Sequence, residues 1–342
     1  MKKFAVLAVF AAISGGAYAQ SSVTLFGIID EAARYTKNGD LKLKSLVSGG
    51  INTSRFGVRG VEDLGSGLKA GFWLEAGINA DSGSSSDASR FWNRRSTVSL
   101  IGNFGEIRLG RDFTPTYTGY SDYDAFGDNG VAASGKFDSS LGTARDTGTR
   151  ADNQIMYLLP SNIGGIYGRF AVASGEGTAG KKYIGGRIGY AAGPLDVSGA
   201  YGQTTVAPVL GDDKFKVADI GASYDLGVVK LMGYYTQNKI ANNKLASYSL
   251  GVTAPIGLGV VKAAYTHANA SGTNAVGTNV DANDANQFAV GYVYNLSKRT
   301  AVYGTAAYVK NKGAATFNVN SALALAGGQK STGAEVGIRH AF

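Results

Sequence analysis

No cysteine occurs anywhere in the chain, which removes disulfide frameworks, thiolate nucleophiles and Cys-based zinc sites together. Histidine is almost as scarce. His267 and His340 stand alone, without the short spacing a metal site uses, and they leave little room for a Ser–His hydrolase. Beyond the N-terminus no apolar run approaches the ~20 residues of a membrane-spanning helix. Mean hydropathy is -0.04, so a bundle of membrane helices is excluded. Only 5 prolines and 2 tryptophans are present among 342 residues.

What is abundant is glycine, with 50 residues, and aromatic side chains, with 19 tyrosines and 15 phenylalanines. The formal charge of +8 suits anionic partners but says nothing about fold. The first 19 residues, MKKFAVLAVFAAISGGAYA, combine a charged head at Lys2 and Lys3, an apolar core from Phe4 to Ile13 and a small-x-small site at Ala17-Tyr18-Ala19. That is the pattern of a cleaved secretory leader, too short in its apolar part to span a bilayer. The expected mature domain is 20–342, exported from the cytoplasm.

From Ser22 onward, segments of about ten residues alternate apolar and polar side chains, the length of a tilted membrane-spanning strand. Ser54–Val61 sets Phe56 and Val58 against Arg55, Gly57 and Arg59; Lys69–Ile78 sets Phe72, Leu74 and Ala76 against Lys69, Trp73 and Glu75. Similar runs follow at Arg95–Ile101, Glu106–Gly110, Arg150–Leu159, Ile166–Ala173, Tyr183–Tyr190, Leu195–Tyr201, Phe215–Tyr224, Val228–Tyr235, Ala246–Ala254, Val260–Thr266, Gln287–Tyr294, Ala301–Val309 and Gly333–Phe342. With Ser22–Tyr35 they make sixteen, separated by short and long connections in turn. A soluble sandwich alternates in the same way. Tyrosines at the strand ends (Tyr157, Tyr190, Tyr201, Tyr224, Tyr235, Tyr265, Tyr294, Tyr308), the leader, and the last run ending at Phe342 favour a transmembrane barrel.

The stretches SVTLFGIID, SRFGVRGVEDLGSGLKAGFWLE, RADNQIMY and the terminal EVGIRHAF, in this order and spacing, resemble the general-diffusion porin family of Gram-negative bacteria, in its β-proteobacterial branch. The resemblance covers the whole mature chain. It implies an all-β fold, a 16-stranded antiparallel transmembrane β-barrel in the outer membrane, assembled as a homotrimer in the lipid bilayer. It implies that the stretch 112–149, which shows neither strand nor helix period, folds inward as the constriction loop, and that small hydrophilic solutes and inorganic ions pass.

Size supports the loop reading separately. Sixteen strands about 4.8 Å apart enclose a backbone diameter of roughly 30–35 Å. A loop of roughly 38 residues, up to ~120 Å extended, can cross that gap and return.

Parity puts Arg55, Arg59, Lys69, Arg95, Arg150, Arg169, Arg187, Lys230 and Lys262 on the inner, polar face, since a lipid-facing cation at mid-depth would cost ~2–4 kcal/mol. For Arg169, Arg187, Lys230 and Lys262 solvation of a water-filled interior is the simpler reading. For Arg55, Arg95 and Arg150 the resemblance implies a basic cluster facing the constriction loop. Arg94 adjoins Arg95, and a slip of one residue exchanges their faces. The candidate acidic side is Glu75 on the wall with Asp122, Asp124 and Asp128 on the loop, beside Asp138 and Lys136. A basic excess across a gap comparable with the ~8 Å Debye length predicts anion preference.

Other chemistries are weaker. Asp122 and Asp124 lack the apolar pocket that would tune two carboxylates apart for acid–base catalysis. Gly175–Lys182, GEGTAGKK, departs from a phosphate loop at its last position and precedes a strand instead of a helix. No cofactor, no enzyme activity and no nucleic-acid partner are expected, the cations alternating inward without an exterior patch. A channel selective for phosphate or another anion, and an adhesive or enzymatic barrel, are the alternatives. The outer loops, mostly Gly, Ser, Asn, Ala and Asp, do not suit an adhesin.

Overall fold

The computed structural model describes residues 22–342; the leader expected over residues 1–19 lies outside them. The strands are β1 (Ser22–Asn38), β2 in two segments (Leu41–Ser48 and Arg55–Gly65), β3 (Leu68–Asn79), β4 (Arg95–Gly102), β5 (Gly105–Phe113), β6 (Arg150–Leu158), β7 (Ile166–Ala173) and β8 (Lys182–Ala192). They continue with β9 (Leu195–Val209), β10 (Asp212–Asp225), β11 (Lys230–Ile240), β12 (Asn243–Ile256), β13 (Gly259–Gly272), β14 (Ala285–Asn295), β15 (Thr300–Asn311) and β16 (Lys330–Ala341). Each pairs antiparallel with its neighbours in sequence, and β1 pairs with β16, so the sheet closes on itself as a 16-stranded barrel. Closure removes both sheet edges. The last residue completes it: Gly27 and Phe342 exchange two backbone hydrogen bonds of 3.1 Å.

The segment Leu41–Ser48 pairs with the upper half of β1 and runs on into Arg55–Gly65, which pairs with the lower half. The strand expected at Ser54–Val61 is therefore the second part of a longer strand, interrupted by residues 49–54. At one end of the barrel the connections are short. Ser66 and Gly67 (φ 52° and 79°) make the two-residue turn between β2 and β3, the left-handed pair that suits the twist of a hairpin. At the other end lie the long segments 80–94, 114–149, 273–284 and 312–329, among tight hairpins such as Leu210–Gly211 (φ 49° and 84°).

Burial is inverted relative to a soluble domain. The exposed positions are apolar: Ile184, Ile188, Ile220, Leu250, Phe288, Val290 and Val336. The buried ones are polar, among them Asp30, Thr36, Gln154, Ser198, Thr204, Thr266 and Gln287. This excludes a sandwich, whose apolar faces meet each other. Of the strand-end tyrosines, Tyr157, Tyr190, Tyr201, Tyr224, Tyr235 and Tyr294 are exposed on the outer wall. One expectation needs correcting. The outer wall does carry cations: Lys37, Lys42, Lys216, Lys239 and Lys244 lie on the same parity as the exposed apolar residues, toward the long-loop end. There the strands extend past the tyrosines, so an ammonium reaches water without entering hydrocarbon.

Candidate pore site

Residues 114–149 lie against the polar inner face. Thr114 caps a short helix, α1 (Pro115–Ser121), by accepting from the N–H of Tyr117 at 3.3 Å. Thr116 meets Tyr183 of β8 at 3.2 Å, and Tyr120 packs on Tyr234 of β11 with ring centroids 5.5 Å apart. The Tyr123 hydroxyl reaches Asp196 at 2.8 Å and Ser198 at 2.9 Å on β9, while Arg187 of β8 pairs with Asp122. Farther round, Glu335 of β16, itself paired with Arg34 at 2.7 Å, accepts from the N–H of Val131. Gln287 of β14 donates to the carbonyl of Ala132 and accepts from Lys136 at 2.6 Å. The segment thus leaves β5, passes along the inner wall as far as β16, touches residues 49–54 through Asn129 and Thr53 (3.3 Å), and returns to β6. Its base is closed by Thr114 N–H donating to the carbonyl of Thr149.

Glycines on the wall make room for it. A Cβ on Gly221 would overlap the ring of Tyr123, and one on Gly251 would lie 2.8 Å from Ala125. The loop carboxylates are consumed locally. Asp124 accepts from the N–H groups of Phe126, Asp128 and Ser134. Asp128 accepts from Gly135 N–H at 2.6 Å and Tyr117 at 3.3 Å. Burial, helped by nearby Asp124, pushes Asp128 up to about 7 against the pull of Gly135 N–H, Lys136 and Tyr117. Burial likewise pushes Lys136 down to about 8, the Asp128 and Asp124 charges opposing it. The buried Tyr117 and Tyr120 hydroxyls are raised by the same desolvation, with Asp128 adding to it.

The facing wall is built from β2, β3, β4 and β6. Residues 49–54 turn inward because Asp30 of β1 gathers them, accepting from the N–H groups of Gly50, Ile51 and Asn52 at 3.2, 3.0 and 2.6 Å and from the Tyr303 hydroxyl. The carbonyl of Thr53 then holds Arg55 Nε at 3.1 Å. Arg55 lies 3.4 Å from Glu75, and Arg94 donates to the same carboxylate at 2.6 Å. Arg150 Nε donates to the carbonyl of Arg94 at 2.7 Å, its guanidinium 4.0 Å from the Phe113 ring centroid. Arg55 and Arg94 therefore share one carboxylate, Glu75, which also accepts from Trp73 at 3.0 Å, and Arg150 adjoins them through the Arg94 carbonyl.

The structure does not bring the other expected cations there. Arg95 stacks on Trp73 at 4.4 Å and lies 3.6 Å from Asp112. Arg59 stacks on the same indole at 4.9 Å. Both line a separate cavity of about 420 Å³ toward the short-turn end, with Arg108 and Glu106. Lys69 faces Asp63 beside the short turn after β2, eight residues along β3 from the partner of Arg55. Of the acidic residues, Glu75 joins the arginines, Asp122 joins Arg187, and Asp124 and Asp128 face the loop's own backbone. Sequence reasoning missed Arg94, the Asp30-held insertion and the anchoring role of Arg187. The adjacent Arg94–Arg95 pair was the one available signal.

The family model for Gram-negative porins matches residues 5–314. The chain belongs to the Gram-negative porin family. This porin is 43% identical to outer membrane porin protein 32 of Delftia acidovorans over the whole length of both chains. It is 29% identical to an outer membrane porin protein of Bordetella pertussis, again over both whole chains. Its barrel superposes on the solved anion-selective porin from Comamonas acidovorans with a TM-score of 0.84 at 42% identity, covering 94% of this porin and all of that chain. The relatives are channels and not enzymes.

Proposed function

We propose that this porin forms a water-filled channel across the outer membrane, as a homotrimer, and passes small hydrophilic solutes and ions with a preference for anions. The observation that carries the preference is the grouping of Arg55, Arg94 and the adjoining Arg150 with the single carboxylate of Glu75, opposite a loop whose Asp124 and Asp128 are turned to its own backbone. Three cations and one anion at a gap comparable with the ~8 Å Debye length act on every ion in transit. Segment 114–149 is the constriction, because without it the lumen is ~30–35 Å wide and would pass small proteins. The leader at 1–19 accounts for export, and the anion-selective relative supports the sign of the preference. Planar-bilayer recording across a KCl gradient tests the reading. A reversal potential on the chloride side is expected. A cation preference overturns the selectivity claim, and absence of conductance overturns the channel.

A further inference from the structure

On the inner wall toward the short-turn end, two neighbouring rows of side chains differ in character. Strand pairing sets Thr24, Arg59, Trp73 and Thr97 side by side on β1, β2, β3 and β4. Below them it sets Ser22, Val61, Gly71 and Ser99, with Arg108 next on β5. The upper row places cations over an indole. Arg59 lies 4.9 Å from the Trp73 ring centroid and 5.3 Å from that of Phe26, and Arg95 lies over the same indole at 4.4 Å. The carboxylates nearby are spent on Arg108, Glu106 at 2.8 Å and Asp112 at 2.6 Å, and Arg95 shares the second at 3.6 Å. Arg59 is exposed to the lumen, and among the described residues it has no ion pair.

The lower row departs from the polar lumen around it. Val61 shares the inward parity of Arg59 and is 43% exposed. Gly71 beside it carries no side chain, so a gap opens between Val61 and Ser99. Ile101 borders the gap, its Cδ1 3.5 Å from where a Cβ on Gly71 would stand. The result is a recess of about 420 Å³ with Gly71 as its floor, Val61, Ile101 and Trp73 as apolar walls, and Arg59, Arg95 and Arg108 as its cations. That volume suits a small organic molecule, and apolar walls with a few charged groups are what hold and orient one. Left to water alone, the recess would keep Val61 and Ile101 wetted at a cost. Arg59 stands four residues along β2 from Arg55, about 13 Å, so the recess is separate from the arginines that gather at Glu75.

We infer that this recess is a binding station for a small aromatic carboxylate in transit, Arg59 holding the carboxylate and the Gly71 floor receiving the ring. Each half of that ligand answers one half of the site. A carboxylate supplies the counter-charge that Arg59 lacks, in the two-pronged geometry a guanidinium offers. A flat ring fits the floor that Gly71 leaves open and meets the Trp73 indole, where aromatic contact adds to apolar burial. An inorganic anion would leave Val61 and Ile101 in water. A neutral aromatic would leave Arg59 without a partner. The inference rests on the channel reading above, since the ligand reaches the recess only through an open lumen.

The test uses the full-length folded porin in planar bilayers at about 0.1 M KCl, where screening is moderate. Single-channel chloride current is titrated with benzoate, acetate and benzyl alcohol, added to both sides. Benzoate should block saturably in the low-millimolar range. Acetate, which lacks the ring, and benzyl alcohol, which lacks the charge, should need at least roughly tenfold more. Arg59→Gln removes the cation, and Gly71→Leu fills the floor while keeping every arginine. Each should raise the half-blocking benzoate concentration at least roughly tenfold. Absence of saturable block by benzoate overturns the inference, as does equal block by acetate or by benzyl alcohol. So does either variant that conducts and keeps the wild-type block. The ligand comparison on wild type stands even where a variant does not fold. A wild type that does not conduct overturns the porin reading and is thereby distinguished from failure of this one.

Discussion

Arg94 Nε lies 2.6 Å from Glu75 Oε1, and Arg94 N–H also donates to the Glu75 carbonyl at 3.1 Å. This double tie decides which arginine of the Arg94–Arg95 pair joins Arg55 and Arg150. Arg95 opens β4 and follows its alternation, so it faces inward opposite Glu75 but is drawn toward Trp73 and Asp112. Arg94 precedes the strand and is free to bend inward at the level of the loop.

Arg94→Ser should therefore lower anion preference more than Arg95→Ser does. One unit charge ~6 Å from the ion path in water contributes ~0.7 kcal/mol, about threefold for one ion and up to about tenfold in an anion-to-cation ratio. Salt screening brings the expected change to roughly three- to tenfold. Reversal potentials of the two single variants across the same KCl gradient check it; equal shifts would remove Arg94 from its assigned place.

Glu75→Gln should act in the opposite direction. It leaves three cations without a counter-charge, so anion preference should rise by a similar factor. The same substitution leaves Arg55 and Arg94 a single neutral amide oxygen in place of the shared carboxylate, in a largely buried setting, which costs stability. The barrel-to-unfolded transition on a heated denaturing gel should move to lower temperature, while the reversal potential moves further toward chloride.

The barrel itself was legible because period-two alternation is a local property, and all sixteen runs coincide with strands. The segment Leu41–Ser48 escaped because Lys42 and Lys44 occupy its outer face, where a midplane rule forbids lysine; above the aromatic belt that rule lapses. The loop's course was not legible for a different reason. Its contacts, such as Tyr123 with Asp196 and Gln287 with Ala132, are long-range and irregular, and no period encodes them. Nor could alternation show that Asp124 and Asp128 turn into their own backbone, since Asx-type bonding and a free carboxylate look alike in sequence.

Asp30→Ala should release residues 49–54. The carboxylate is fully buried and accepts from three backbone N–H groups and Tyr303. Hydrogen bonds to a charged group contribute about 1.5–3 kcal/mol each, and the orphaned N–H groups add to the loss. Hydrogen exchange at Gly50–Asn52 should rise at least tenfold, and Arg55, no longer held through Thr53, should contribute less to selectivity. Asp30→Asn, which keeps acceptor capacity, should fall between.

Gly221→Val should undock segment 114–149 locally. Even a Cβ at this position overlaps the Tyr123 ring, whose hydroxyl is fixed by Asp196 and Ser198 and so cannot simply swing aside. Displacing Tyr123 also loosens Asp122 from Arg187. Larger single-channel conductance with more frequent fluctuations is expected. Gly304→Ala on β15, where the backbone is not left-handed and a Cβ would meet nothing closer than 3.7 Å, serves as the control and should conduct as wild type does.

The docking of the loop should be weakest near pH 7–8. Asp128 is raised in the docked loop from its ordinary 3.8 to about 7, so its stabilising contribution is complete below about pH 4 and is lost as pH rises through about 7. Lys136 is lowered from its ordinary 10.5 to about 8, so its contribution is present above about pH 10.5 and is lost as pH falls through about 8. Between these two limbs both groups are charged and buried at a cost. Hydrogen exchange of the segment 124–138, corrected for intrinsic rates, should show least protection in that window. Asp128→Asn should flatten the acid limb and raise protection at pH 7.5, because the amide mimics the neutral carboxyl. Lys136→Met should flatten the alkaline limb and, by removing a cation that holds Asp128 down, move the acid limb to higher pH. A wild-type profile level from pH 4 to 10, or one limb surviving its own substitution, would break the link between these two side chains and the loop.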